Sequence, residues 1–374
     1  MQGSIGVRRQ AEALPNPELS ALAENVAGQG AYQGTSSAEL TYSLSQRIEL
    51  GGKRNARRAV AAAQSALSNS NLDAVRLDLI RDVTVAFFEA TAAQEQLALA
   101  EKQQRLAASV LQVVSQRVDA AREPLVQRAK AQVTSASAAT ARRKAQRDLA
   151  IAKNKLSVLS VTSFDDLILT SEEFHETSLP GPISEEVLDS SKSPDLEGLD
   201  AQVDRAKGVV EIERANAIPD VTLTAGLRDL RATNDRAFVF GLSVPLPILD
   251  SNAGNIIKAR ADLRQTEQER NLGKQSLQAG TIAAEQQLRS AYDEVSNLKT
   301  NILPPAHRSY LLAKDGYERG RLSFLEVLDA QRTLYEMEAE YIAALKEFHV
   351  SLADLQRLLA FQKNSFRDGE AGNE

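Results

Sequence analysis

The feature that most constrains this chain is a helical hairpin that it performs twice. Asp315 to Leu334 (DGYERGRLSFLEVLDAQRTL) reads as the turn and restart between two very long helices. Gly316 and Gly320 interrupt the helical spacing, Ser323 suits the cap of the next helix, and Leu325, Leu328 and Leu334 begin a new apolar stripe. The same layout lies about 199 residues earlier, in Ala120 to Val133 (AAREPLVQRAKAQV). There Ala131-Gln132 aligns with Ala330-Gln331, Pro124 with Ser323 and Leu125 with Phe324. Two copies of one unit are a tandem duplication.

Each copy has the same internal order. Pro17 opens a strand-like segment to about Asn25, and a Gly/Ser-rich loop, Gly28 to Ser37, follows. Leu40, Tyr42, Leu44, Ile48 and Leu50 then alternate with Thr41, Ser43, Ser45, Arg47 and Glu49, with Gln46 the exception. Gly51-Gly52 ends this strand, and a helical pattern runs from about Lys53 to Ala120, then from Pro124 to about Leu159. Leu72, Val75, Leu79, Val83, Ala86, Ala90, Ala93, Leu97 and Ala100 recur at three- and four-residue steps. A helix of about 65 residues is on the order of 100 Å long.

In the second copy Pro219 matches Pro17. Strands are expected at about 219–231 and 236–249, with Phe238, Phe240, Leu242, Val244 and Leu246 on one face and Pro245 and Pro247 on the other. Gly51, Gly52, Pro245 and Pro247 thus mark strand–helix junctions. Long helices follow at about 253–316, kinked by Pro304-Pro305, and at about 322–363. Between the copies, residues 160–193 are rich in Asp, Glu, Ser and Pro and read as an irregular connector with one short helix near Ser184 to Asp189. Residues 194–217 read as a further helix, and 364–374 as a disordered tail. The second copy has about 24 helical residues ahead of its strand-opening proline, and the first has 16 residues before Pro17. A truncated or late-started N-terminus is therefore expected, lacking a leader and most of a first helix.

Composition agrees with rods rather than globules. Aromatics are 5%, Trp is absent, and the net charge of −6 implies no nucleic-acid partner. The absence of Cys suits an oxidising compartment and many cytosolic proteins alike. No apolar run reaches the roughly 18 residues of a membrane-spanning helix. The strands, however, have the length of outer-membrane β-strands, about 9–11 residues. A sheet in lipid must close, and four strands are too few, so several copies would have to pool theirs. Two chains would give about 8 strands and three about 12; spacing alone does not choose. Taken singly, each hairpin could equally be a half-buried sheet of a soluble protein; their matched placement ahead of long rods favours the pooled barrel.

Five stretches carry a family likeness: PNPELSALAEN (15–25), LSQRIELGGKRNAR (44–57), IPDVTLTAGLRD (218–229), FGLSVPLPILDSNAGNI (240–256) and GYERGRLSFLEVLDAQRTL (316–334). With them the chain resembles the outer-membrane efflux channel (TolC) family, and most closely its heavy-metal branch, on the IELGGKR and SVPLPILDSNAGN stretches. The resemblance implies a mainly α fold with a small β part: a homotrimer with a 12-stranded β-barrel in outer-membrane lipid, continued by a periplasmic α-barrel of 12 helices. It further implies docking to a periplasmic adaptor (membrane fusion) protein and an inner-membrane RND pump. Residues 160–193 and the C-terminus would form an equatorial belt.

Such a channel is a passive duct, not an enzyme, and needs no cofactor. Its cargo would be divalent heavy-metal cations, with drug efflux or type I secretion as alternatives inside the family. The helix turns would form the periplasmic tip, where Gly316, Tyr317, Gly320, Arg321, Ser323 and Phe324 of one hairpin and Arg122, Pro124 and Leu125 of the other meet the adaptor. Asp119, Glu123, Asp315 and Arg319 are candidate gate charges; a lone charge at a helix end is otherwise simply solvated. The only histidines, His175, His307 and His349, are not spaced as a metal site, so none is expected. Outside the family, a periplasmic adaptor would need a Gly-rich lipoyl-type domain between its arms, and a soluble coiled-coil scaffold would leave the strands unexplained.

Overall fold

The computed structural model describes residues 2–161, 169–180 and 193–359. In chain order the elements are α1 (Gln2–Glu12), β1 (Glu18–Glu24), β2 (Glu39–Ile48), α2 (Lys53–Asp119), α3 (Leu125–Ser160), α4 (Glu172–His175), α5 (Pro194–Asn216), β3 (Val221–Leu230), β4 (Asp235–Ser243), α6 (Ala253–Asn297), α7 (Leu303–Glu318) and α8 (Phe324–Leu358). They separate into two discontinuous units, Met1–Ala74 with Pro194–Gln275, and Val75–Ser193 with Ser276–Glu374. Each unit draws on both sequence repeats.

The first unit holds one antiparallel sheet in the order β1-β2-β3-β4. The central pairing joins the repeats: Leu44 faces Ala225 and Tyr42 faces Leu227. Directly paired residues share a face. Leu19, Leu44, Ala225 and Phe240 therefore form one apolar row, and Ala21, Tyr42, Leu227 and Phe238 the next. The other face carries hydroxyls and charges. Ser20 Oγ lies 2.8 Å from Ser43 Oγ, and Ser45 Oγ 2.9 Å from Thr224 Oγ1. Arg228 reaches Glu39 at 3.0 Å, Glu24 at 3.3 Å and Thr41 Oγ1 at 3.0 Å, tying three strands together. The apolar face is uncovered by the chain itself: Leu19 is 81%, Phe238 80% and Phe240 79% exposed. Among the described residues no strand pairs with the outer edge of β1 or of β4.

In the same unit α5 lies hard against α2. A Cβ on Gly208 would sit 2.6 Å from Val60 Cγ2 and 3.3 Å from its backbone N, so only glycine permits that approach.

The second unit is held by helix packing. Ala92 and Leu99 of α2, Leu288, Ala291 and Val295 of α6, and Ile342, Leu345, Phe348 and Leu355 of α8 share a core with Phe174 of α4. Arg81 joins Asp354 at 2.6 Å, and Arg357 hydrogen-bonds Asp78, so ion pairs clamp α2 to α8 along the rim of that core. The seam reading of α2 holds at Ala86, Ala90 and Ala100, which are buried, whereas Val75 and Leu79 are exposed. The helix thus has more than one apolar face, and a single chain covers only one of them.

The helix expected over 253–316 is interrupted differently from the sequence reading. Residues Leu298–Ile302 form a π-helical turn, and Pro304 and Pro305 occupy the first turn of α7. The wider turn relieves the clash of two proline rings with carbonyls one turn back, at the N-terminal positions where a missing N–H costs nothing. The short helix expected near 184–189 and the tail at 364–374 lie outside the described residues; within the connector the helix observed is α4. None of the described helices is long and apolar enough to cross a membrane, which has no bearing on a β-barrel.

Candidate functional site at the helix turns

The two turns between long helices are built alike. At the end of α2, the amide N of Ala120 donates to Gln116 O (3.0 Å), that of Ala121 to Val118 O (3.0 Å) and that of Arg122 to Arg117 O (2.8 Å). At the end of α7 the same three bonds recur: Arg319 to Asp315 (3.0 Å), Gly320 to Tyr317 (2.9 Å) and Arg321 to Gly316 (2.8 Å). This is the Schellman cap, which needs a left-handed residue after the last helical one. That residue is Ala121 (φ 56°) in one turn and Gly320 (φ 72°) in the other. The copies thus keep one backbone while the first tolerates alanine, at a cost of roughly 1–2 kcal/mol.

The next helix starts differently in each. Pro124 is the N-cap of α3, with extended backbone, whereas Ser323 caps α8 with help from Glu326. The Glu326 carboxylate accepts from the Ser323 amide at 2.7 Å and from its hydroxyl at 3.0 Å.

Below the turns, both hairpins pack into one cluster: Val114 and Ala131 from the first, Ala313, Tyr317, Phe324 and Val327 from the second. The Arg117 guanidinium stands 4.2 Å from the Tyr317 ring centroid and couples the hairpins by a cation–π contact. Burial pushes the Tyr317 phenol up, and Arg117 partly offsets that. The aligned pair Leu125 and Phe324 are not equivalent: Phe324 is 3% exposed and Leu125 is 74% exposed. Gly316 sits beneath Leu322, whose Cδ1 would lie 2.6 Å from an added Cβ.

The charges are partly committed within the chain. Asp119 pairs with Arg128, which also donates to Ser115 O at 3.2 Å. Asp315 pairs with Arg319 at 2.8 Å along the same helix. Arg122, Glu123 and Arg321 form no side-chain hydrogen bond or ion pair among the described residues. Arg128 is not apparent from sequence as a partner of Asp119, because the turn alone brings them together.

The strand–helix junction of the first unit is a polar lock. Gly51 (φ 71°) and Gly52 (φ 78°) turn the chain into α2. Lys53 Nζ donates to Asp220 Oδ1 at 2.5 Å and to Ile218 O at 2.8 Å, and the Leu50 amide also donates to Asp220, at 3.2 Å. Arg57 grips Glu49 with both nitrogens, at 2.6 and 2.8 Å. Hydrogen bonding from Arg57 holds the Glu49 carboxyl below the usual carboxylate range. In the second repeat Asn252 (φ 58°) takes the turn into α6, and its Nδ2 donates to Glu213 O and Oε2, both at 2.8 Å. Pro245 and Pro247 are exposed just beyond β4, an edge strand that proline can end without loss of a ladder bond.

Comparison with known proteins gives concordant results. The sequence profile described as "Outer membrane efflux protein" matches residues 7–160 and 189–360, one stretch for each repeat. The cobalt-zinc-cadmium resistance protein CzcC of Cupriavidus metallidurans is 31% identical over 94% of this chain and 82% of its own length. The nickel-cobalt-cadmium resistance protein NccC of Alcaligenes xylosoxydans is 29% identical, over 66% of this chain and 56% of its own. Among solved structures, a membrane protein from Pseudomonas aeruginosa superposes with a TM-score of 0.81 at 19% identity, over 96% of this chain and 87% of that one. Crystal structures of CusC give a TM-score of 0.79 at 21% identity, over 96% and 86%. At those identities the structural likeness speaks for the fold: a TolC-like arrangement of tandem β-hairpins and long helices.

Proposed function

The chain belongs to the outer membrane efflux protein family, and on that premise we propose that it is the outer-membrane channel subunit of a tripartite RND-type system exporting divalent heavy-metal cations. The open sheet carries this reading. It has an uncovered apolar face, a polar opposite face and two unpaired edges. In lipid every backbone N–H and C=O must be paired, so β4 of one copy must meet β1 of the next until the ring closes. Three copies give a barrel of about 12 strands, inside the range known for outer-membrane barrels. The apolar rows then face lipid, and Ser20, Ser43, Thr224 and Arg228 face a water-filled bore.

The duct performs no chemistry, so the energy and the choice of cargo come from an inner-membrane pump. Cation cargo is supported by the resistance proteins named above. The helix turns, with exposed Leu125, Arg122 and Arg321, are the surface offered to a periplasmic adaptor, and Asp119, Glu123, Asp315 and Arg319 are the charges available for gating. Most of the chain would lie in the periplasm. The test is fractionation to the outer membrane together with migration as a heat-sensitive trimer in mild detergent. A second arm asks whether expression restores cobalt, zinc or cadmium resistance to a host lacking its own outer-membrane component. A monomer in the soluble fraction would end the proposal.

A further inference from the structure

Two histidines far apart in sequence, His175 and His349, meet at one four-residue helix, and a third, His307, lines a cavity with the first. Phe174 of α4 is fully buried. Its carbonyl lies 3.0 Å from Nε2 of His349, which is itself buried in α8. The His349 ring stacks on Phe88 of α2 at 3.9 Å between centroids and 10° between planes. It also lies 5.7 Å from the Phe174 ring and meets Phe348 edge-on at 5.2 Å. On the other side of α4, His175 stacks near Tyr341 at 6.3 Å and lines a cavity of about 670 Å³ with His307. That cavity also presents Glu95 and Lys102 from α2, Arg308 from α7 and Glu338 from α8, beside Pro304 and the π-helical turn.

Among the described residues no three of His, Asp and Glu are grouped so as to hold a metal ion, so ligation does not explain the convergence. We propose instead that His349 is a pH-operated latch: neutral, it holds α4 docked in the helical core, and protonated, it lets α4 go. The inference does not rest on the efflux reading.

The physics follows from the surroundings. Nε2–H donates to the Phe174 carbonyl, leaving a neutral ring sandwiched among aromatic faces. A second ring proton would place a full charge where Phe88, Phe174 and Phe348 supply no counter-ion, and burying an unpaired charge is costly. Among the described residues the charged groups that act on His349 belong to α4: Glu173, which favours the cation, and His175, which opposes it; α2 and α8 present the Phe88 and Phe348 rings. Burial outweighs the Phe174 hydrogen bond and Glu173, both of which favour the cation, and holds His349 below the ordinary imidazole value. The docking contribution is therefore complete above about pH 6.5 and fades as pH falls below it.

The chain has no Cys, so one can be introduced at exposed Glu172 and labelled with a nitroxide. In the purified protein, the label should become more mobile as pH falls from about 7.5 to about 5.5. His349→Phe, which keeps the ring stack, should remove that transition. The three histidines also allow a direct check by imidazole NMR: the resonance lost in His349→Phe should titrate with the midpoint of the label's release. A label that stays fixed down to about pH 5, or a transition that survives in His349→Phe, overturns the latch. If His349→Phe fails to fold, a His349 resonance that titrates with no accompanying change at the label overturns it equally.

Discussion

Two adjacent glycines at the strand–helix junction separate backbone strain from crowding. Gly51 and Gly52 have nearly the same φ, 71° and 78°. An alanine at either must adopt the left-handed conformation, which costs roughly 1–2 kcal/mol. Space is where they differ. A Cβ at Gly52 meets nothing within 4 Å, whereas a Cβ at Gly51 would lie 2.8 Å from Ile218 Cβ and 3.1 Å from Ala215 O. A backbone oxygen and a branched Cβ cannot swing aside as a side-chain tip can, so overpacking adds about 1–3 kcal/mol. Gly52→Ala should therefore lose about 1–2 kcal/mol and Gly51→Ala about 2–5 kcal/mol. The second substitution also pushes on the segment carrying Asp220, so the Lys53–Asp220 bond should weaken with it. The assay is guanidinium unfolding of the detergent-solubilised protein by far-UV circular dichroism, comparing midpoints at constant slope. Equal losses for the two variants would refute the reasoning, since φ alone would then account for both.

Three further outcomes are expected. Phe240→Arg places a guanidinium in the middle of the uncovered apolar row and should abolish outer-membrane insertion, with about 2–4 kcal/mol lost per copy; normal insertion at wild-type protein levels would contradict the lipid-facing assignment. Gly320→Leu puts a branched-chain side chain in the left-handed cap at the turn, and should leave assembly and envelope targeting intact while lowering metal resistance, measured at equal protein levels. Glu49 is held ionised in the folded chain by Arg57, so its contribution is present above about pH 4.3 and is lost as pH falls through its lower folded value. Arg57→Ala should flatten that part of the acid-unfolding curve, and an unchanged curve would show that the pair does not couple to folding.

Much of the fold was legible because it is written in local periodicity. The steps of three and four along α2 and the alternation at Leu40, Tyr42 and Leu44 are properties of neighbouring residues, so they survive without any tertiary knowledge. The duplication is also a purely sequential signal, and it carries through to matching hydrogen bonds at Arg122 and Arg321. The prolines are less legible. Pro304-Pro305 announces an interruption, but whether the helix bends at the prolines or widens just before them depends on how α6, α7 and α8 pack.

The candidate site divides the same way. Gly320, Ser323 and Pro124 could be placed at turns from residue chemistry alone, since caps are local. That Phe324 would be buried and its counterpart Leu125 exposed could not be read, because burial is decided by which hairpin lies behind. Asp220 beside Lys53, and His349 against Phe174, likewise join residues more than one hundred positions apart. The sequence by itself determined the elements, their order and their repetition, because helix and strand propensities act over a few residues. Only the tertiary structure decided which polar groups share a dry interior and which apolar faces remain for a neighbour. Those depend on the pairing of β2 with β3 and of both hairpins in one cluster, where distant segments lose water together.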